Sequence, residues 1–318
     1  MIACVPENLA TFAGELRARF AGPSSVTVDA PLASRTTLGV GGPADLLVEP
    51  VSEADLAVAL RFCHQHGLPW RVLGRGSNVL VRDGGFRGMI LLLDAAHFGR
   101  VERTGSQLRC GAAARLKAVA GSARKEGLAG LEFLEGIPGS VGGALRMNAG
   151  AHGSWMFEVT ESVRFVEPSG AVLEAAAGDL QARYRSCDFL AGRVAVAAVL
   201  AGRPAAPEAI RERMEANARQ RRASQPRTPS AGCIFKNPPS VPAGRLIEEL
   251  GLKGTQIGCA RVSEIHGNFI VNTGGATAAD VLRLVEHVRT RAGGAGITLE
   301  TEVEIIGEDS PPTRMRHA

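Results

Sequence analysis

Four short stretches carry polar side chains that neither strand nor loop construction requires. In YRSCDF, Arg185 lies beside Asp188 and the chain's only tyrosine, Tyr184. A guanidinium keeps its charge and grips a carboxylate through two parallel N–H donors, so Arg185 could bind and polarise an acid substrate; an ordinary surface Arg–Asp pair explains the same residues equally well. SAGCIFKNP places Cys233, Lys236 and Asn237 just past a turn of small residues. A thiol with a pKa near ~8.5 is a far stronger acid than a serine hydroxyl and could donate a proton, although most cysteines are buried small hydrophobes. LETEVEIIG alternates Glu300, Glu302 and Glu304 with Thr301, Val303 and Ile305. Carboxylates on one strand face repel one another, so either that face is solvated or one of them meets a cation or a ligand. ARQRRASQPR holds Arg219, Arg221, Arg222 and Arg227, which suit a solvated helix end or a phosphate clamp.

Two glycine-rich stretches suggest what these groups work beside. GIPGSVGGALRMNAG, Gly136 to Gly150, holds five glycines and a proline, a composition that fits neither a helix interior nor a plain strand. Glycine admits positive φ and lets main-chain N–H groups touch an anion with no Cβ in the way, which suits a pyrophosphate. GRGSN, Gly74 to Asn78, lies between two apolar strand-like segments. Two such cradles imply one dinucleotide.

Composition narrows the classes. The chain has 318 residues, enough for two or three domains, and Lys+Arg exceed Asp+Glu by 36 to 32. That mild excess fits anionic small substrates, and an aromatic content of 4% argues against a base-stacking surface, so no nucleic-acid partner is expected. Six cysteines show no C-x-x-C spacing and no signal sequence opens the chain, which points to reduced thiols in a cytoplasmic protein. No apolar run approaches the ~20 residues of a membrane span. No H-E-x-x-H, G-x-x-x-x-G-K-[ST] or G-x-S-x-G occurs, and His64 and His66 fall on different faces of an expected helix, so no metal site is expected.

The elements that must position these groups are readable in outline. Ser52 with Asp55 starts a helix that Gly67 stops. WRVLG, VLV (79–81) and MILLL (89–93) read as strands, 114–126 as a helix, and 162–175 as a hairpin turning at Pro168-Ser169-Gly170. RPAAP (203–207) reads as a linker before a charged helix. Thr277 with Asp280 opens a helix that buries Val281, Leu282, Leu284, Val285 and Val288, and 298–306 reads as a final strand.

Taken in order, seven segments resemble the UDP-N-acetylenolpyruvoylglucosamine reductase family, the flavoenzymes of bacterial peptidoglycan precursor synthesis. They are TTLGVGGPADLLVEP, VLGRGSNVLV, EFLEGIPGSVGGALRMNAGAHG, YRSCDF, SAGCIFKNP, AGRLIEELGLKGTQIGCARVSEIHGNFIVN and LETEVEIIG, between Thr36 and Gly307. The resemblance implies an α+β protein with a two-lobed FAD-binding region of the vanillyl-alcohol-oxidase/PCMH type and a C-terminal α+β substrate-binding domain. Its expected divisions are 1–94 and 95–203 for the two FAD lobes, 207–307 for the substrate domain, and 308–318 as a tail. With no tyrosine after Tyr184, the chain resembles the shorter form, which lacks a tyrosine-bearing loop.

The same resemblance implies that Arg185 and Glu302 polarise the substrate carboxylate and that Cys233 donates the proton, a position where the family typically has serine. It implies flavin contacts at Gly74, Gly76, Ser77, Asn78, Gly139, Ser140, Asn148 and Gly150, and substrate contacts at Lys236, Asn237 and Tyr184. FAD is expected to be bound non-covalently, NADPH to be the reductant, and a monomer to act on UDP-N-acetylglucosamine enolpyruvate. Two other classes stay open on residues alone: a FAD-linked oxidase passing electrons to oxygen, and a UDP-sugar or nucleic-acid binding protein that lost its chemistry with the serine-to-cysteine change.

Overall fold

A computed structural model describes residues 9–309. Cys4, the residues before the helix Leu9–Arg19, and the tail from 310 onward lie outside the described residues. The chain forms two compact units: residues up to 28 with 46–75 and 88–221, and residues 29–45 and 76–87 with the chain from 222 on. This division differs from the sequential one expected. Most of 1–94 shares one unit with 95–203, but residues 29–45 and 76–87 go with the C-terminal chain; the first unit also keeps the charged helix Pro207–Ser224 through Arg221, because Ile210 and Met214 are buried in that unit's core. The expected linker is itself ordered, since Arg203–Pro204 pairs with Leu128–Ala129.

The first unit is built on a five-stranded antiparallel sheet in the order Val172–Ala176, Thr160–Val166, Val194–Ala201, Gln107–Gly111, Val101–Thr104. Alternating apolar residues such as Val163 and Phe165 face a core closed by the helix Leu116–Lys125 through Val119, Ala120 and Ala123. Thr160–Val166 and Val172–Ala176 form the expected hairpin, with Gly170 at φ 84° in its turn. A second core layer gathers Leu46, Val48, Met89 and Leu91 against Leu56, Leu60 and Phe62 of the helix Glu53–Gln65. Ser52 caps that helix by accepting the Asp55 N–H at 3.1 Å, and Gly67 leaves it at φ 60°, both as expected.

The second unit has a four-stranded antiparallel sheet, Ser230–Cys233, Phe269–Asn272, Ala260–Val262, Gln256–Ile257, covered by the helix Ala278–Gly294. Val281, Leu284, Val285 and Val288 are buried as expected, whereas Leu282 is only half-buried. Thr277 and Asp280 form the expected capping box, and the Asp83 carboxylate accepts the Ala278 and Ala279 N–H groups at 2.8 Å each. Beside this sheet, Glu304–Ile306 runs parallel to Val79–Val81. The regular part of the expected final strand is therefore only its last three residues. Among the described residues, no helix is long and apolar enough to cross a membrane.

Candidate active site

In the first unit, the stretch from Gly136 to Gly150 is more ordered than its composition suggests. Ser140, in extended conformation, leads into a six-residue helix, Val141–Arg146, where neither helix nor strand was expected. The helix forms because its first turn is anchored from outside: Val141 N–H donates to Ala114 O at 3.0 Å and Gly142 N–H to Ala112 O at 2.8 Å. A Cβ on Gly142 would lie 3.1 Å from that of Ala112, so glycine here serves close packing. At the far end, Gly150 faces Trp155, whose Cδ1 would sit 2.5 Å from an added Cβ. Gly74 meets the same stretch, since a Cβ there would lie 2.9 Å from Ser140 Oγ.

Asn148, near the end of this stretch, takes φ 38° and is 9% exposed. Its Oδ1 accepts the Phe157 N–H at 3.2 Å and its Nδ2 donates to Arg183 O at 3.1 Å. Arg183 and Ser186 close a turn on each other at 2.7 and 3.2 Å, and Cys187 N–H donates to Arg146 O at 2.9 Å. Arg185 thus rides the crest of a tied loop, itself in the left-handed region at φ 56°. Its guanidinium lies 5.2 Å from the ring centroid of Tyr184, which is half-exposed. Asp188 is engaged by the Ser186 hydroxyl and lies 4.0 Å from Arg183.

In the second unit, GRGSN continues as Gly76, Ser77 and Asn78. The Gly76 carbonyl accepts the Thr37 N–H at 3.0 Å, and the Thr37 hydroxyl lies 2.7 Å from Ser230 O, so Thr37 joins this loop to the cysteine segment. Gly76 has φ 60°, and a Cβ would fall 2.3 Å from Arg35 O. Cys233 ends its strand opposite Phe269, after a bulge in which Gly232 takes φ 76°. The next residue, Ile234, donates to Asn268 O at 2.9 Å, and its carbonyl accepts the Glu302 N–H at 2.8 Å. Cys233 and Glu302 therefore sit on neighbouring backbone segments.

Asn268 clamps this arrangement. It is 3% exposed, accepts the Phe235 N–H at 2.9 Å and donates to Phe235 O at 2.8 Å. Neither Thr37 nor Asn268 is singled out by sequence; a polar residue opening the apolar run NFIVN was the available signal for Asn268. Burial holds the neighbouring His266 below the usual histidine range, and its Nδ1 accepts the Asn268 N–H at 3.1 Å. The three glutamates do not share a regular strand face: Glu300 meets Lys236 at 3.1 Å, Glu304 is exposed in the parallel pair, and Glu302 is half-buried. Asn237 spends its Oδ1 on the Ala243 N–H at 3.0 Å, capping the helix Ala243–Glu249.

The cysteines separate by environment. Burial pushes the thiols of Cys63 and Cys110 up to about 12 and also raises that of Cys187, so these are packing residues, whereas Cys233 and Cys259 are half-exposed.

Residues 44–176 match the FAD binding domain family, and residues 225–306 match the family described as UDP-N-acetylenolpyruvoylglucosamine reductase, C-terminal domain. The fold and its glycine-lined backbone are those of a FAD-dependent oxidoreductase, α+β in both units as expected. Curated relatives narrow the class. The chain is 43% identical to UDP-N-acetylenolpyruvoylglucosamine reductase of Pelobacter propionicus, over 88% of this chain and 95% of that one, and 43% identical to the reductase of Bacillus subtilis, over 92% and 97%. The solved structure of the reductase from Thermus caldophilus superposes with a TM-score of 0.78 at 38% identity, covering 89% of this chain and 99% of that one. The chain belongs to the UDP-N-acetylenolpyruvoylglucosamine reductase family.

The residues present fit a flavin. Gly143 is exposed in the first turn after Ser140, and the atom nearest to a Cβ placed there is Ser140 Oγ at 3.8 Å. Backbone left bare in this way is what a diphosphate needs for close approach.

Proposed function

We propose that this chain catalyses NADPH-dependent reduction of UDP-N-acetylglucosamine enolpyruvate to UDP-N-acetylmuramate, in peptidoglycan precursor synthesis. The observation that carries the reading is the 2.8 Å bond from Glu302 N–H to the carbonyl of Ile234, which sets an acid and a thiol on adjacent backbone. Main chain of the two glycine loops would hold FAD, which, with NADPH as reductant, would supply the hydride for the enolpyruvyl ether. Arg185 binds the substrate carboxylate and faces the negative charge that builds there, a task for which one well-placed donor is worth about 3 kcal/mol. Glu302 assists in its protonated form, because an ionised carboxylate would repel that charge. Cys233 gives its Sγ proton to the carbon bearing the carboxylate, which completes addition across the double bond and leaves the D-lactyl ether.

Gly74, Gly76, Ser77, Gly139, Ser140 and Gly150 line the flavin with main chain, Asn78 and Asn148 belong to the same loops, and Lys236, Asn237 and Tyr184 serve the UDP-sugar. The protein works as a cytoplasmic monomer, which sedimentation with bound flavin tests. The decisive experiment is the visible spectrum of the purified protein under anaerobic conditions. Flavin bands that bleach with NADPH and return with the enolpyruvyl substrate are expected; bands that return only with air would point to an oxidase.

A further inference from the structure

The two asparagines assigned to the flavin loops have side chains that are occupied elsewhere. Asn148 uses both ends of its amide within the first unit, accepting from Phe157 and donating to Arg183 O. In the second unit, Asn78 donates its Nδ2 to Glu302 O at 3.2 Å while its own carbonyl accepts the Glu304 N–H at 3.0 Å. We infer that Asn148 and Asn78 are positioning residues, each fixing the backbone beside one of the two groups that polarise the substrate carboxylate. The inference rests on the roles given above to Arg185 and Glu302.

The geometry is specific in both places. The parallel pairing of Glu304 with Val79 is the last rung of its ladder, and the Asn78 amide supplies one more bond, to the carbonyl two residues upstream. Glu302 is then held on both faces of its peptide, by Ile234 on the N–H side and by Asn78 on the C=O side. In the other unit, the turn that carries Arg185 is tied at Arg183 by Asn148 and at Cys187 by Arg146. A residue at φ 56° keeps that conformation only while its neighbours over-determine it, and these two ties do so. Each asparagine must be a donor here, because both partners are carbonyl oxygens. Aspartate has the same shape but no N–H, and so isolates the donor.

The test is anaerobic stopped-flow on the FAD-loaded full chain carrying Asn148→Asp or Asn78→Asp, measuring flavin reduction by NADPH and reoxidation by UDP-N-acetylglucosamine enolpyruvate separately. A misplacement of the order of 1 Å costs up to about 100-fold, so reoxidation is expected to slow about 30-fold at neutral pH and at least ten times more than reduction does. The deficit should narrow as pH falls through the carboxyl range, since a protonated aspartate donates where the amide did; a defect unrelated to the donated bond would not be rescued in this way. Asn148→Gly, which meets the positive φ without strain, and Asn78→Ser repeat the comparison if an aspartate variant does not fold. Equal slowing of both half-reactions, no slowing, or, in the aspartate variants, a deficit that ignores pH would overturn the inference. Arg185→Lys and Glu302→Gln are measured alongside. If both of these reoxidise at the parent rate, the assignment of the reacting groups has failed, which is a different result from normal asparagine variants beside impaired Arg185 and Glu302 variants.

Discussion

The loop that carries Arg185 and the segment that carries Glu302 are held by different kinds of bond. Glu302 lies in backbone continuous with a ladder: its N–H goes to Ile234 O, and the pairing of Glu304–Ile306 with Val79–Val81 follows directly. Arg185 has no ladder. Its turn rests on the mutual main-chain bonds of Arg183 and Ser186, one side-chain amide, one main-chain bond to the end of a six-residue helix, and a residue at φ 56°. Ladder geometry comes with low strain and many shared bonds, whereas a tied loop can aim a long side chain at the cost of strain. The two groups proposed to polarise the substrate carboxylate therefore differ in what their removal does to stability.

The largest expected effect breaks that comparison at its strained end. Arg185→Gly should slow substrate-driven flavin reoxidation by about 1,000-fold, the upper range for loss of one charge-stabilising donor. It should also stabilise the fold by about 1 kcal/mol relative to Arg185→Ala, since only glycine accepts this φ freely. Glu302→Ala is expected to lose about 100-fold without any gain in stability, because no strain is released there. Rapid-reaction traces and thermal melts on the three variants check this. A destabilised Arg185→Gly protein would mean that the loop is not strained.

Asn268→Leu attacks the ladder end instead. It strips the partners from both Phe235 N–H and Phe235 O, which lie in a buried segment. Each unsatisfied buried group costs about 1–3 kcal/mol, so a loss of about 3 kcal/mol is expected in a denaturant titration. A loss below about 1 kcal/mol would show that other donors or water can replace the amide.

What the sequence reveals and conceals follows the same division. Caps are local, so Ser52 with Asp55 and Thr277 with Asp280 are legible from spacing alone. Segments that resemble a family place Arg185, Cys233 and Glu302 without any knowledge of their surroundings. The units themselves are hidden, because three of the five points where the chain passes between them, at 28, 45 and 87, fall inside strands that carry no compositional mark. The helix Val141–Arg146 is hidden too, since two of its six residues are glycines and it is secured by carbonyls of Ala112 and Ala114, nearly thirty residues upstream. Asn78, Asn148 and Asn237 read as ligands because an asparagine in a glycine-rich or catalytic stretch has no pattern that shows its amide is bonded to backbone.

Cys233 offers a smaller effect that sharpens the contrast between the thiol proposed as proton donor and the packing thiols. A cysteine of ordinary pKa near ~8.5 loses its proton at a pH where serine keeps its own, and a thiolate cannot donate. Activity of the parent should therefore fall at lower alkaline pH than that of Cys233→Ser; superimposable profiles would remove Cys233 as donor. Alkylation at mild alkaline pH should mark Cys233 and spare Cys63 and Cys110, whose thiols stay protonated up to about 12.

The smallest expected effect lies at the capped helix of the second unit, which has no counterpart of its kind around Arg185. The Thr277 N–H, more than the Arg283 guanidinium, holds the Asp280 carboxyl below the usual carboxylate range. A carboxyl depressed in the folded state adds stability that is complete above its unfolded pKa and is lost as pH falls through the folded value. Asp280→Asn keeps an acceptor but removes the charge, so it should cost about 1 kcal/mol or less at neutral pH and nothing at strongly acid pH. Thermal melts of parent and variant should thus converge on acidification. Curves that stay parallel down to low pH would show that Asp280 acts by shape and not by charge.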